Sequence, residues 1–377
     1  MHFACTQENL LQGLSLVSHI SGKNANLPIL GNVLLKTEGG GLKLSCTNLE
    51  MAVSVMVRGR VETQGEYTVP AKLLQDYIGL LPAGKVELVF NGEALEVRAD
   101  GSTTTVRGMP SSEFPLIPRL ASGKSYPFKA EVLRQAIGQV AFAVSGSESR
   151  PELSGVACFF HGYGQTDKTV FAATDSYRLS ERIVALEAGA PGEEVKCIVP
   201  ARAMNEIGRI LSAYKDEMGM PDAVEWSMTD SQLAITYGNV ELISRLIEGS
   251  FPDYRQIIPS SYKTSCVLSR SELQKAIRAA SLFSRQGLFD IHLTFKPGEG
   301  VIVSSSDTGT GAHSTTLKAD IQGDENTVTL NFRYLADGLS TMLVDKVTMK
   351  LIDGMNPVLV IPGEQEDARY IVMPIRQ

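Results

Sequence analysis

Apolar residues recur three and four positions apart in three separated segments: Leu10, Leu14 and Val17; Leu133, Ile137, Val140 and Val144; Leu273, Ile277 and Ala280. That spacing puts each set on one face of a helix. Each segment follows a short run of strand character, "HFACT", "YPFKA" and "SCVLS", and the cores "LLQGL", "LRQAI" and "LQKAI" are variants of one pattern. A second trio, "YTVPAKLLQDYIGLL", "CIVPARAMNEIGRIL" and "TLNFRYLADGLSTML", predicts a strand running into an amphipathic helix. Pro70 and Pro200 suit the first turn of those helices. Between the two trios lie "LKLSCTNLE", "VFAATDSYR" and "VIVSSSDTG", apolar strands that end in a polar Thr/Ser-Asp/Asn turn. A last trio closes the pattern: "SEFPLIP", "SFPDYRQIIP" and the carboxyl-terminal "RYIVMPIRQ". In it, prolines break extended runs.

The four elements keep one order in all three copies, at a spacing of roughly 125–140 residues, which is the signature of a triplicated unit. Loop composition at "ASGKS" and "SSYK" divides the chain into domains 1–122, 123–259 and 260–377. Alternating stretches such as "ALEVRADGSTTTVRG" and "QLAITYGNVELISRLI" predict antiparallel strands. Each copy is therefore an α+β domain, two helices on antiparallel sheets.

Composition narrows the classes. The 377 residues are 43% hydrophobic and 20% charged, as in ordinary globular proteins. No apolar run approaches the ~18 residues of a membrane span, so no membrane partner is expected. "MHFACTQENLLQGL" has neither the basic start nor the small-residue cleavage site of a secretory leader. Cys5, Cys46, Cys158, Cys197 and Cys266 are scattered among apolar residues, the usage of buried free thiols in a reducing cytoplasm. A net charge of −7 argues against a surface that grips nucleic acid everywhere, although basic residues gathered on one inner face remain compatible with it.

Candidate chemistry is sparse. There is no C-x-x-C, no pair of histidines at i, i+4, no Walker loop and no G-x-S-x-G, so neither metal nor cofactor is expected. "DTG" at Asp307–Gly309 raises a dimeric aspartic-protease-like hydrolase, which needs two carboxylates sharing a proton. A second such tripeptide is missing, and Asp307 aligns with Asn48 and Asp175, which points to a turn. A non-catalytic chain is favoured. The helices carry Lys72, Arg134, Arg202, Arg209, Lys275, Arg278 and Arg333 away from their apolar faces. Lys72 and Arg202 stand two residues after the matched prolines and Arg333 two after the aligned Asn331, so rotationally related copies would line one surface with them. Asp76, Glu206 and Asp337 dilute that signal, and patterning alone leaves a DNA-facing surface and an ordinary charged helix face both open.

"LPILGNVLL", "TNLEM", "VPAKLL", "RPELSG", "ATDSYRLS", "FPDYR" and "YIVMPIR" stand in an order that covers the whole chain. In these motifs the sequence resembles the bacterial DNA polymerase III β subunits, the sliding clamps. The resemblance implies three clamp domains per chain and a head-to-tail homodimer closed into a ring, with sheets outside and helices lining the hole. Such a ring would encircle double-stranded DNA without reading sequence. It would tether the DNA polymerase III catalytic subunit and other clamp-binding-motif proteins as a processivity factor, while a separate clamp loader supplies the ATPase. A monomeric peptide-binding module without DNA encirclement is the other open reading.

The same resemblance implies a hydrophobic partner-peptide pocket. It would draw on Arg150 and Leu153; Thr174, Ser176, Tyr177, Arg178 and Leu179; Pro252 and Ile257; and Ile371, Met373, Pro374, Ile375 and Arg376. Asn331 and Tyr334 would form its second wall, with Met355 and Pro357 near. Lys23 in "GKNANLP" would face DNA, and the dimer seam would set Leu282 and Phe283 against Thr104 and Val106. Tyr177 stands where the family often has His, Ser176 where it often has Gly, Gln256 where a basic residue often follows, and Thr104 where an apolar or aromatic residue is frequent.

Overall fold

The structure is a computed structural model that describes residues 1–22, 26–118, 120, 123–147, 149–164, 166–214 and 219–376. The first copy runs β1 (His2–Thr6), α1 (Gln7–Val17), β2 (Asn32–Glu38), β3 (Gly41–Thr47), β4 (Met51–Val57), β5 (Arg60–Thr63), β6 (Glu66–Pro70), α2 (Ala71–Leu80), β7 (Lys85–Phe90), β8 (Leu95–Ala99) and β9 (Ser102–Val106). The second is β10 (Lys124–Lys129), α3 (Ala130–Val140), β11 (Gly155–Phe160), β12 (Lys168–Thr174), β13 (Arg178–Ala185), β14 (Val195–Pro200), α4 (Ala201–Ala213), β15 (Ala223–Met228), β16 (Gln232–Tyr237) and β17 (Val240–Arg245). The third is β18 (Thr264–Ser269), α5 (Arg270–Ser281), β19 (Asp290–Lys296), β20 (Gly300–Asp307), β21 (Gly311–Leu317), β22 (Ala319–Gly323), β23 (Asn326–Asn331), α6 (Phe332–Thr341), β24 (Lys346–Leu351), β25 (Val358–Pro362) and β26 (Ala368–Val372).

The helical stripes read from the sequence are the buried faces: Leu10, Leu14 and Val17 of α1, Leu133, Ile137 and Val140 of α3, and Leu273, Ile277 and Ala280 of α5 are all 3% exposed or less. Val144 falls outside this pattern, because α3 stops at Val140 and the chain continues in a 3₁₀ turn. Capping fixes the helix starts where a short polar side chain is present. The Asn9 amide donates to Thr6 Oγ1 at 3.3 Å, the Glu272 amide to Ser269 Oγ at 3.4 Å and the Arg333 amide to Asn331 Oδ1 at 2.9 Å. Pro70 and Pro200 are displaced by one position from expectation. Each closes a strand, paired with Asn32 and Gly155 respectively, and Pro70 with ψ 116° is the cap residue before α2 rather than part of its first turn.

Residue contacts gather the chain into two compact units, Met1–Glu131 with Glu187–Pro191 and Arg209–Leu246, and Val132–Leu186 with Gly192–Gly208 and Ile247–Gln377. The copies do not coincide with these units because sheets run across copy boundaries. In the first unit an eight-stranded sheet has the order β10-β15-β16-β17-β4-β3-β2-β6, and a five-stranded sheet the order β5-β1-β7-β8-β9. In the second a nine-stranded sheet has the order β14-β11-β12-β13-β26-β25-β24-β18-β22, and a four-stranded sheet the order β21-β20-β19-β23.

Each long sheet therefore contains a seam between copies. In the first unit β17 pairs with β4, antiparallel, Val240 opposite Val55 through Ser244 opposite Met51. In the second, β26 pairs with β13 in the same way, Arg178 opposite Val372 through Arg182 opposite Ala368. Strand order makes β9, β17 and β26 equivalent, and likewise β4, β13 and β21. The last element of the third copy is an extended run broken by proline: residues 369–372 of "RYIVMPIRQ" lie in strand β26, and Met373-Pro374 corresponds to the Phe-Pro turns.

Candidate functional site

At the second seam the turn between β12 and β13 is tied by its own side chains. Thr174 Oγ1 donates to the Arg178 carbonyl at 2.6 Å, and the amides of Tyr177 and Arg178 donate to Asp175 Oδ1 at 2.9 and 3.0 Å. Ser176 takes φ 79°, the left-handed conformation for which glycine is best suited. Asn48 accepts from the amides of Glu50 and Met51 in the matching turn of the first copy, and Asp307 from the Gly309 amide in the third. The carboxylate of "DTG" thus caps a turn as its counterparts do, and the hydrolase reading is not favoured.

Arg178 leaves this turn as a fixed fork. Its Nε lies 2.9 Å from Asp175 Oδ2, its Nη1 2.6 Å from Asp337 Oδ2, and its Nη2 donates to the Phe142 carbonyl at 3.1 Å. The guanidinium also covers the Phe142 and Tyr334 rings, 5.4 and 4.8 Å from their centroids. Burial works against its charge, but the bond to Asp337 and the proximity of Asp175 outweigh it and raise the guanidinium above its ordinary value.

A cavity of about 200 Å³ opens beside this fork. Leu153, Leu179 and Ile371, each 2% exposed or less, are its buried apolar lining. Leu179 and Ile371 are direct partners across the seam. The 3₁₀ turn Tyr254–Ile257 and the preceding Pro252-Asp253 contribute Pro252, Asp253, Tyr254 and Ile257, and Met373 follows β26. Thr174, Ser176, Arg178 and Arg150 supply the polar lining, with Arg150 Nη1 3.4 Å from Ser176 Oγ and its Nε 3.1 Å from Glu152 Oε1. An apolar hollow with a few placed polar groups binds an apolar side chain and orients the chain that carries it.

Ten of the eighteen expected pocket residues line this cavity: Arg150, Leu153, Thr174, Ser176, Arg178, Leu179, Pro252, Ile257, Ile371 and Met373. Tyr177 and Tyr334 lie next to it, stacked with centroids 6.3 Å apart, and Arg178 covers the Tyr334 ring. The remaining expected residues do not line it. Asn331 caps α6, Met355 is 59% exposed on a turn whose amide donates to Asp353, Pro357 is half-buried, and Pro374, Ile375 and Arg376 run on past Met373, with the Ile375 amide donating to Thr329 O. Asp253 and Tyr254 were not expected; their signal was the unbroken "FPDYR" itself.

Of the basic residues, Lys72, Arg202 and Arg333 each occupy the second position of equivalent helices and are exposed, as are Lys275 and Arg278 on α5. Lys72 meets Asp76 at 2.7 Å, and Arg333 lies over the Phe289 ring at 3.6 Å. Arg134 is half-buried. Arg209 is committed to structure, its Nη2 donating to the Leu16 carbonyl at 2.6 Å near the end of α1, where a cation offsets the helix dipole. Lys23 lies outside the described residues. At the expected dimer seam Leu282 is 74% exposed and Phe283 stacks on His313, but Val106 is 3% exposed and Thr104 is half-buried with its hydroxyl 2.7 Å from Tyr77 Oη. Val106 therefore packs inside its own domain.

The thiols are free; four are buried, and Cys197 is half-buried on the edge strand β14. Burial pushes Cys5 and Cys266 up to about 12, which keeps them protonated and unreactive. Among the described residues no cluster of three or more His, Cys, Asp or Glu could hold a metal, and no helix is long and apolar enough to cross a membrane.

Comparison with known proteins agrees along the whole length. The DNA polymerase III beta subunit family matches in three parts, its N-terminal domain at residues 1–118, its central domain at 128–253 and its C-terminal domain at 255–376. A protein of Synechococcus elongatus named beta sliding clamp is 30% identical, with 100% of this chain and 99% of that one covered. A Pseudomonas aeruginosa sliding clamp solved bound to griselimycin superposes with a TM-score of 0.91 at 27% identity, covering 100% of both chains. For the fold alone, a Bacillus subtilis sliding clamp gives a TM-score of 0.92 at 23% identity, covering 100% of this chain and 99% of that one. With all three copies matched, and the seams and turns repeating between them, the chain belongs to the family of the DNA polymerase III beta subunit, the non-catalytic sliding clamps of DNA replication.

Proposed function

We propose that two copies of this chain close head to tail into a ring around double-stranded DNA and hold the DNA polymerase III catalytic subunit to its template. The observation that carries this reading is the pair of open sheet edges. Two of the three β9-type strands pair with a β4-type strand, β17 with β4 and β26 with β13, and this leaves β9 and β21 at the ends of the five- and four-stranded sheets. Joined across two copies they would make a sheet of nine strands, as in the second internal seam. An unpaired edge is a template for the addition of another strand. A β9-to-β21 contact is heterologous, and it closes with two chains when its rotation repeats that of the internal seams.

Further features support the same reading. Leu282 beyond α5 and the exposed Leu73 and Leu80 of α2 supply apolar surface for the seam; Leu73 and Leu80 share a helical face with Tyr77, which touches Thr104 of β9. Lys72, Arg202, Arg333, Lys275 and Arg278 would meet phosphate without reading bases, while the net charge of −7 keeps the rest of the surface from sticking. The cavity at the second seam would take short hydrophobic peptides of the polymerase, of the clamp loader and of other clamp-binding proteins in the cytoplasm.

The test is retention on nicked circular DNA. The protein should stay on the circle through a high-salt wash and leave when the DNA is linearised, and light scattering should give twice the 40.8 kDa chain mass. A single-chain mass at micromolar concentration together with loss from circular DNA in salt would overturn the ring and favour a monomeric peptide-binding module.

A further inference from the structure

Glu181 lies on β13 two residues beyond Leu179 and is 3% exposed. It stands opposite Arg369 as Leu179 stands opposite Ile371. Residues two apart on a strand share a face, so two apolar side chains line the cavity and an oppositely charged pair lies behind them on the same face. Tyr254 crosses over this pair: its hydroxyl donates to Glu181 Oε2 at 2.6 Å, while Arg369 Nη1 is 3.4 Å from Oε1. The Tyr254 ring packs among Phe159, Tyr163 and Phe251, with centroids 6.3, 6.4 and 6.1 Å away. Burial, then the nearby Glu181, push the phenol far above its ordinary value, which keeps it a donor. The first seam has no such arrangement. There Ser54 and Glu241 occupy the matching positions, the Ser54 hydroxyl is bonded to Ser45 at 2.8 Å, and "SEFPLIP" contains no tyrosine.

We propose that Glu181 is a positioning residue of the pocket: by holding the Tyr254 hydroxyl it fixes the Tyr254–Ile257 turn, and with it the Pro252 and Ile257 wall, in the form that accepts a ligand. The inference rests on the pocket reading above. The turn has other ties, the exposed bonds of the Arg255 amide and Gln256 side chain to Asp253 and the Arg255 guanidinium 3.5 Å over the Tyr163 ring, but none of them is a bond to a buried carboxylate. A buried carboxyl group that loses a donor is costly, so the turn does not swing away on its own. A wall held in place spares the ligand the penalty of selecting a minor conformer.

The experiment uses the full chain and the variants Tyr254→Phe and Glu181→Gln. In ligand-free protein, hydrogen exchange at the Arg255 and Ile258 amides should quicken in Tyr254→Phe by roughly ten- to hundredfold, the worth of a hydrogen bond to a charged group. In surface plasmon resonance with griselimycin, the association rate should fall with little change in the dissociation rate. Glu181→Gln should show the same changes to a smaller extent, because its amide oxygen still accepts. Unchanged exchange at both amides, with or without a lower Tm, would overturn the proposal, as would a loss of affinity carried only by faster dissociation. Failure of the wild-type chain to bind griselimycin would strike at the pocket reading instead, and the exchange measurement alone would then decide the role of Glu181.

Discussion

The two internal seams are built alike and end differently. In both, a threonine hydroxyl bonds the carbonyl four residues on, Thr47 to Met51 and Thr174 to Arg178, and the residue after the capping Asn or Asp has positive φ, Leu49 at 76° and Ser176 at 79°. In both, an amide at the end of the seam strand returns to that turn, that of Arg245, the last residue of β17, to Glu50 and that of Met373, the first after β26, to Tyr177. A leucine in a 3₁₀ turn lies beneath, Leu30 at 3% and Leu153 at 2% exposure. At the first seam Phe114 and Ile117 pack with Ile29 and Leu30 into a closed cluster. At the second the corresponding segment is four residues longer, the inserted "DYRQ" makes a turn of its own, and a hollow remains over Leu153. The fold of the seam is therefore common property, and the two seams differ in the length of the loop that lies against them.

Three measurements sharpen or break this comparison. The largest effect is expected from rebuilding the second seam on the first, by deleting Asp253–Gln256 together with Glu181→Ser. Where the wild-type chain binds griselimycin, as the test above checks, that binding in surface plasmon resonance should fall more than about a hundredfold while circular dichroism stays unchanged, since the apolar wall would be gone. Retained binding would mean that the loop does not make the site. Next, Leu30→Ala should cost about 3 kcal/mol and Leu153→Ala about 2 kcal/mol in urea denaturation, because the first leaves a void in a closed cluster and the second only deepens an existing hollow. Equal costs would show that the hollow is closed in solution. The smallest effect concerns what the seams share: Thr47→Ala and Thr174→Ala should each cost about 1 kcal/mol, agreeing within about half of that, as expected for one hydroxyl bond in equivalent turns.

Much of this was readable in the chain. The period of the apolar residues located the helices because burial of one face is what stabilises them, and Asn48, Asp175 and Asp307 stood out as turn caps by their repeated place at strand ends. Residues that line the cavity were legible where they fall within contiguous motifs. Tyr254 was missed because its meaning depends on Glu181, 73 residues away, and a tyrosine in a loop carries no local sign of a buried partner. Arg209 was misread for a similar reason: charge predicts exposure until a carbonyl at a distant helix end takes the guanidinium. Val106 was within reach of simple alternation, since in "STTTV" it shares a face with the half-buried Thr104 rather than with the exposed Thr103 and Thr105.

Lengthening a loop from the five residues 114–118 to the nine of 251–259 is just under a doubling, and a doubling costs only about 0.6 kcal/mol in closure entropy. A change of length at this loop is thus cheap in one copy and leaves untouched the strands on which all three copies depend.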